Sequence, residues 1–424
     1  MSQLAAVRER LEALRGLRSP PVPGFCERVR DVVVVASSSR GGSSVFTEML
    51  RHAPSLCHFR AEVNPFLVLA GLGFPDAGDS DALDPSAGGL RDVLEGELAA
   101  DAGGWAPLTP QGVRPYGLDL AWRLTAHWPT LPIDPEAVVS WTRASLAVCS
   151  PEDLAGFHLD LLRRVRGVHP QVDPWFYDID PERIHLAFPG LAQPVGAPGP
   201  VVLEEPPFVL ARPWRPVTPE SLAGRPLVIK TPSNAYRLPF LRTLFPSARF
   251  RVLHLTRNPA ASINGLVDGW RYRGFHSHRV GGLAIAGYAD PDWWKYDLPP
   301  GWRAWTSEPL EQVCGFQWRS AHQHVLDFLG REQPDRLRVA FEDVTGERAE
   351  RREAWGRIEA WLGVDLGAEV ARIVEHGLPP VMATHAPRRR RWFAKAAQLE
   401  PVLARRDTRE LAGRLGYADP KSWV

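Results

Sequence analysis

The sequence predicts an α/β protein in which a central parallel sheet lies between two layers of helices. Strand patterns alternate with helical patterns near the start and in the second half of the chain. Such alternation is typical of a parallel sheet that helices cover on both faces. Residues 32–35 are four consecutive valines, as expected for a strand buried on both faces. With 424 residues, 44% of them hydrophobic and 23% charged, the chain can bury a large core.

The individual elements follow in order along the chain. Apolar residues at a spacing of three to four predict an amphipathic helix over residues 4–17. Further strands are predicted at residues 54–59, 226–230, 249–256 and 337–341. Further helices are predicted after the valine strand and at residues 152–165, 234–245, 310–329 and 351–362. Pro259 is expected to open one more helix, since proline suits the first helical position.

Two stretches interrupt this alternation. Glycine, proline and aspartate cluster at residues 71–89, and prolines are dense again at residues 189–219. Residues 71–224 are therefore predicted to form one large substrate-facing insertion, and residues 270–309 a second, aromatic-rich one. We expect a single domain over residues 1–424. Its core comprises residues 28–70, 225–269 and 310–424.

Composition and charge argue against several classes of protein. The formal net charge of +1 does not fit a generally basic nucleic-acid-binding protein. No apolar run approaches the about 18 residues of a membrane-spanning helix, and the charged N-terminal segment lacks the apolar stretch of a signal peptide. We therefore expect a cytoplasmic protein without a membrane span. Four scattered cysteines without CxxC spacing predict reduced thiols and no metal site. They are Cys26, Cys57, Cys149 and Cys314.

The segment after the valine strand has the features of an anion site. Residues 37–44 read Ser-Ser-Ser-Arg-Gly-Gly-Ser-Ser and lead into a helical pattern. Backbone N–H groups and the helix dipole converge at such a strand–loop–helix junction, which favours a phosphate. The loop differs from a nucleotide-kinase P-loop, because Arg40 precedes the glycines and no lysine follows them. Taken alone, the loop could equally be a connection that binds no ligand.

Three predicted strands are followed by a cationic side chain. Arg40 follows the first, Lys230 ends the strand at residues 226–230, and Arg257 follows the strand at residues 249–256. Any one of these cations could simply be solvated. Ligands of parallel α/β sheets bind beyond the carboxyl ends of the strands. The three cations together therefore predict a pocket for a polyanion at one edge of the sheet.

Four blocks of sequence occur in the order of a known family. They are Ser39-Arg40-Gly41-Gly42-Ser43-Ser44, Lys230-Thr231-Pro232, residues 245–250 with Arg257-Asn258-Pro259, and residues 339–344. In these blocks the chain resembles the bacterial PAPS-dependent sulfotransferases related to the Golgi and tyrosylprotein-type branch, PAPS being 3′-phosphoadenosine 5′-phosphosulfate. The resemblance covers about half of the chain. It implies a P-loop-like sulfotransferase core carrying the two insertions.

The resemblance implies PAPS as the sulfuryl donor, PAP as the product and no metal. The residues implied to bind the 5′-phosphate are Ser39, Arg40, Gly41, Gly42, Ser43 and Ser44. Arg257 would bind the 3′-phosphate. Gly265 stands where the family has a serine, so that hydroxyl contact is missing, and Ser262 or Asn264 could compensate. Lys230 would reach the bridging oxygen or the sulfonate.

The remaining implied roles concern the base and the closure of the donor site. Glu62 would accept the proton of the acceptor hydroxyl. His58 is the alternative base, although on its strand it could instead be a hydrogen-bonded core histidine. The late basic run at residues 388–391 precedes Trp392. Since the family closes its donor site with such a loop, Arg391 and Trp392 would contact the 3′-phosphate or the adenine.

The sequence leaves the acceptor and two rival functions open. The aromatic residues of 270–305 form either a core or a lid, and a lid would suit an apolar or glycosidic small-molecule acceptor with a hydroxyl group. One rival function is a nucleotide-dependent phosphotransferase, which would need the missing P-loop lysine. The other is a non-catalytic protein that binds PAP or a nucleotide. The oligomeric state is not specified by any of these patterns.

Overall fold

A computed structural model describes residues 3–18, 22–150, 152–377 and 389–423 of the chain. Its strands are β1 (Asp31–Ala36), β2 (Cys57–His58), β3 (Gly103–Trp105), β4 (Trp214–Pro216), β5 (Leu227–Lys230), β6 (Arg249–Thr256), β7 (His278–Arg279), β8 (Trp293–Trp294) and β9 (Asp335–Ala340).

Helices make up most of the remaining regular structure. The α-helices are α1 (Gln3–Arg18), α2 (Phe25–Arg28), α3 (Ser43–Arg51), α4 (Asn64–Leu69), α5 (Arg91–Asp101), α6 (Val113–His127), α7 (Pro135–Leu146), α8 (Leu154–Val168), α9 (Pro181–Ala187), α10 (Pro219–Gly224), α11 (Leu238–Leu244), α12 (Pro259–Arg271), α13 (Leu310–Glu332), α14 (Phe341–Thr345), α15 (Arg348–Leu362), α16 (Ala368–His376), α17 (Ala396–Leu403) and α18 (Arg406–Arg414). Short 3₁₀ helices span Pro110–Gly112, Pro174–Phe176, Pro232–Tyr236, Trp302–Trp305, Arg391–Lys395 and Pro420–Ser422.

A seven-stranded sheet in the order β4-β3-β2-β5-β1-β6-β9 forms the centre of the fold. Strands β2, β5, β1, β6 and β9 run parallel, whereas β3 and β4 pair antiparallel at one edge. Strands β7 and β8 form a separate antiparallel pair. The predicted α/β class with a central, mainly parallel sheet is therefore confirmed.

The valine strand is buried on both faces, as its sequence predicts. Val32 and Val34 belong to one hydrophobic cluster together with residues of α1, α6 and α13. Val33 and Val35 point to the other face and pack in a second cluster with α3 and α15. Because successive side chains of a strand alternate between its faces, one run of valines serves both helix layers.

The structure divides the helix that the sequence predicts over residues 234–245. A 3₁₀ helix at Pro232–Tyr236 is followed by the shorter α11, and Arg237 lies between them. Pro239 lies at the start of α11, where its missing N–H is tolerated. The same proline inside one continuous helix would remove a hydrogen bond, which accounts for the break.

The first predicted insertion also contributes to the sheet. Strands β3 and β4 lie within residues 71–224 and extend the sheet beyond β2. Two of the three residues of β3 are Gly103 and Gly104, which lack the apolar alternation of a strand. Side-chain patterns therefore gave no signal for this edge.

The aromatic residues of the second insertion form mainly a core. Trp270, Trp294 and Trp302 are fully buried and pack in a third hydrophobic cluster with residues of α12, α13, α17 and α18. None of the helices in the described ranges combines the length and apolar character needed to cross a membrane.

Candidate functional site

One large cavity lies beyond the carboxyl ends of the central parallel strands. It has a volume of about 1070 Å³, and its wall includes Arg40, Lys230 and Arg257. The strand order places β1 between β5 and β6. The loop after β1 is therefore flanked by Lys230 on one side and by Arg257 on the other. The three cations that the sequence predicts at one sheet edge do face the same space.

The loop between β1 and α3 turns tightly by means of left-handed backbone at two positions. Arg40 has a φ of 59° and Gly42 a φ of 93°. The N–H of Gly41 donates to the carbonyl oxygen of Ser38 at 3.1 Å. A Cβ on Gly42 would lie 2.2 Å from the ring of Phe341, so only glycine fits there. Such a turn at a helix N-terminus directs backbone N–H groups towards one point and suits an anion.

Lys230 connects this loop to the carboxylate of Glu62. Its ammonium donates to Glu62 Oε1 at 2.5 Å and to Ser44 Oγ, in the first turn of α3, at 3.2 Å. The Lys230 side chain is 9% exposed and that of Glu62 is 31% exposed. One buried ammonium therefore contacts both the predicted 5′-phosphate loop and the predicted base.

Arg257 is oriented by two neighbours. Its Nη1 donates to the carbonyl oxygen of Arg40 at 3.2 Å, and its guanidinium lies 5.0 Å from the centre of the Phe341 ring. Burial lowers the pKa of Arg257, and the positive charges of Arg40 and Arg391 lower it further, whereas Glu342 opposes the shift. A cluster of guanidinium groups whose charges disfavour one another is characteristic of a site that binds an anion.

Gly265 makes room for the side chain of Arg40. It lies in α12, and a Cβ there would approach Arg40 Cβ to 3.3 Å. The glycine that was expected to leave a hydroxyl contact missing therefore lies in close contact with the loop. Of the two residues considered as substitutes, Asn264 lines the cavity, whereas Ser262 is fully buried and is not among the lining residues.

The late basic segment reaches the cavity, although Arg388 lies outside the described residues. Arg391 and Trp392 both line the wall. Arg391 forms an ion pair with Asp268 of α12, and Lys395 pairs with the other oxygen of the same carboxylate. The segment is therefore attached to the helix that follows Arg257.

His58 lies behind the cavity wall. Its Nε2 is 3.1 Å from the carbonyl oxygen of Leu50, and burial lowers the pKa of its imidazole to about 3. It is not among the described residues that line the cavity. This placement is that of a hydrogen-bonded core histidine, the alternative that its position on a strand suggested.

The two insertions supply much of the remaining wall, which sequence reasoning left without named residues. The aromatic and apolar contributions include Trp105, Leu210, Phe275 and Tyr296. The carboxylates are Asp178, Glu204, Glu205 and Asp297. Phe275 and Tyr296 belong to the aromatic segment that was predicted to form a core or a lid, whereas no local motif marks the other residues, which tertiary folding brings to the cavity.

Glu205 and Glu204 differ in their partners although they are adjacent in sequence. The carboxylate of Glu205 accepts hydrogen bonds from Asn64 Nδ2 at 3.1 Å and Ser277 Oγ at 2.6 Å, both neutral groups. Burial raises the pKa of Glu205 to about 7. Glu204 instead pairs with Arg123 at 3.0 Å. The cavity wall therefore includes a carboxyl group that can change protonation near neutral pH.

The chain was compared with known proteins. No protein-family model and no curated protein matches it. Among solved structures, a sulfotransferase domain from the curacin biosynthetic pathway is 14% identical, with a TM-score of 0.40 over 93% of this chain and 100% of that one. A sulfotransferase domain from the olefin synthase of Synechococcus PCC 7002 is 14% identical, with a TM-score of 0.37 over 92% and 96%. A sulfotransferase from Mycobacterium avium is 13% identical, with a TM-score of 0.34 over 95% and 80%. Likenesses this weak carry no weight for function.

Proposed function

We propose that the protein is a sulfotransferase that moves a sulfuryl group from PAPS to a hydroxyl group of a small or medium-sized acceptor and releases PAP. The observation that carries this proposal is the arrangement of cations around one loop. Arg40 lies in the loop after β1. Lys230 ends the neighbouring strand β5 on one side, and Arg257 follows the neighbouring strand β6 on the other. PAPS carries a phosphosulfate at one end and a phosphate at the other, so two separate cationic groups suit it.

The residues fit an in-line transfer in which placement and charge supply most of the catalysis. The acceptor oxygen forms a bond to sulfur while the bond between sulfur and the phosphate oxygen breaks, and the electron pair leaves on PAP. Lys230 would stabilise the charge that develops on that oxygen. Glu62, which already contacts Lys230, would take the proton of the acceptor hydroxyl. Arg257 would bind the 3′-phosphate.

The two rival functions are less well supported. A phosphotransferase of the P-loop type needs a lysine from the loop itself and a hydroxyl for Mg²⁺, whereas the lysine beside this loop comes from β5. A non-catalytic nucleotide-binding protein does not require a base and a cation beside the phosphate loop, whereas Lys230 and Glu62 are paired there at 2.5 Å within the cavity.

Thermal unfolding with PAP, ATP and ADP at equal concentration tests the proposal. PAP at 100 times its dissociation constant should stabilise the protein by about 2.7 kcal/mol, and Arg257→Ala should remove about half of this shift or more. Stabilisation by ATP but not by PAP would favour the phosphotransferase. No stabilisation by any of the three would contradict a donor site in this cavity.

A further inference from the structure

Asp297 has a pair of contacts that the proposed reaction leaves unexplained. Its carboxylate accepts a hydrogen bond from the Ser39 hydroxyl at Oδ1 and from the Tyr236 hydroxyl at Oδ2, the latter at 2.8 Å. All three side chains are almost fully buried. Ser39 immediately precedes Arg40 in the loop after β1, and Tyr236 belongs to the 3₁₀ helix that follows Lys230. One carboxylate therefore joins the two segments that carry two of the cavity cations.

The segment around Asp297 is itself fixed to the body of the protein. Its carbonyl oxygen accepts hydrogen bonds from Trp294 Nε1 and Gln317 Nε2, each at 2.9 Å. The backbone of the next residue, Leu298, makes two hydrogen bonds with Asp81, both at 2.8 Å: its N–H donates to the Asp81 carboxylate, and its carbonyl oxygen accepts from the Asp81 N–H. Asp297 is thus a rigid point from which the loop can be held.

The charge of Asp297 is unfavourable in this place. Burial raises the pKa of its carboxyl to about 6. Within the described ranges the side-chain donors to it are neutral hydroxyls, whereas the neighbouring buried carboxylate of Asp81 pairs with Arg237 at 3.0 Å. A buried carboxylate without a cation costs stability, and beside an anion site it also repels the ligand. What a carboxylate offers here is two strong acceptors at fixed positions.

We propose that Asp297 is a positioning residue of the anion loop, which acts through the Ser39 hydroxyl to fix the left-handed turn at Arg40 that receives the 5′-phosphate. This inference rests on the proposed function, because the 5′-phosphate is that of PAP or PAPS. It assigns to the second insertion a role in donor binding, in addition to its place in the cavity wall.

Binding of PAP and of 3′-AMP, measured by calorimetry, separates this role from a general effect on folding. Asp297→Asn leaves one acceptor oxygen in place of two, and we expect the loss of the fixed turn to outweigh the removal of the repelling charge, so that PAP binding weakens about tenfold. Ser39→Ala should cause a similar loss, and the double variant no more than either single change. 3′-AMP lacks the 5′-phosphate, so its affinity should stay within about twofold in all variants. Asp292→Asn, a half-exposed carboxylate of the same insertion, is the control and should change neither.

Three results would overturn the inference. They are unchanged PAP binding in the single variants, equal losses for PAP and 3′-AMP, and additive losses in the double variant. If Asp297→Asn does not fold, Tyr236→Phe decides, because it removes one hydroxyl donor from the same carboxylate and Tyr236 is not among the described residues that line the cavity. PAP binding should then weaken while 3′-AMP binding does not, and unchanged PAP binding would overturn the inference. Failure of the wild type to bind PAP would overturn the proposed function as well, whereas wild-type binding with normal binding by the variants would overturn this inference alone.

Discussion

The proposed donor side and the proposed acceptor side of the cavity, below called the donor side and the acceptor side, are built from different kinds of sequence. The donor side consists of short motifs at the carboxyl ends of β1, β5 and β6, which carry Arg40, Lys230 and Arg257. The acceptor side consists of single residues from the two insertions, such as Glu205 and Phe275. In a parallel sheet, the carboxyl ends of neighbouring strands lie side by side at the same edge, independently of the sequences of the loops. The sheet topology therefore positions the donor side, whereas tertiary contacts of the insertions position the acceptor side.

The largest expected effect lies where the two sides meet, at Glu62. Glu62→Gln should lower turnover about 10³-fold, since general-base catalysis contributes about 10²- to 10⁴-fold, while PAP binding is retained. Transfer of ³⁵S-labelled sulfuryl groups from PAPS to a panel of hydroxyl compounds measures the first, and calorimetry the second. Substantial residual turnover would move the base elsewhere in the cavity wall.

Lys230→Ala should lower turnover about 10²-fold, because it removes one preorganised cation from the oxygen that gains charge. The affinity for PAP should fall less, because the charge of the 5′-phosphate in PAP is shared among its oxygens and the loop N–H groups and Arg40 would still bind it. The same transfer assay measures the loss of turnover, and titration with PAP measures the loss of affinity. Equal losses in both would contradict a role in the transition state and reduce Lys230 to a ground-state phosphate contact.

Arg257→Ala should weaken PAP binding about 10- to 100-fold, the effect of losing a bidentate contact to a phosphate. ADP, which has no 3′-phosphate, should lose little affinity. Arg271→Ala, at the end of the helix α12 that follows Arg257, is the control, because Arg271 pairs with Glu311 and is not among the described residues lining the cavity. A parallel loss of ADP binding would show that Arg257 supports the loop through its bond to the Arg40 carbonyl instead.

The same contrast explains how much could be predicted from the sequence. The valines of β1 predict the sheet, and the lysine that ends β5 predicts its cationic edge. Both features could be predicted because a few consecutive residues define each of them. Asp297 contacts Ser39 across 258 positions in the chain, and no local pattern encodes such a pair. Strand β3 was missed for a related reason: Gly103 and Gly104 have no side chains, so only their backbone pairing makes them a strand.

A smaller effect is expected at Glu205, on the acceptor side. Burial raises its pKa from 4.5 to about 7, so the folded protein bears an unfavourable buried charge above that pH. Below pH 4.5 the group is protonated in both the folded and the unfolded state, and as the pH rises through 7 the stabilising effect of the neutral form is lost. Glu205→Gln should therefore raise the free energy of unfolding by about 1 kcal/mol at pH 8 and change it little at pH 4.

Glu204→Gln is the control for Glu205, because it disrupts a buried ion pair with Arg123 and should lower the stability at pH 8. Chemical denaturation at both pH values measures the two variants. A loss of stability in Glu205→Gln at pH 8 would mean that the carboxylate is a structural acceptor for Asn64 and Ser277. A gain in the free energy of unfolding would show that the carboxylate lowers the stability, as expected of a group retained on the acceptor side for binding.

The smallest effect is expected from Gly265→Ser, which introduces the serine that the resemblance to PAPS-dependent sulfotransferases leads us to expect at this position. A serine is a better helix former than glycine by about 0.5 kcal/mol, so α12 itself should gain slightly. Its Cβ would lie 3.3 Å from Arg40 Cβ, however, and the loop must shift by a few tenths of an ångström to accept it. We expect PAP binding to weaken about two- to threefold in calorimetry while the midpoint of thermal unfolding does not fall. Tighter binding of PAP would show that the added hydroxyl contributes more to PAP affinity than the close contact with Arg40 costs. It would also show that the loop can shift although its turn is left-handed.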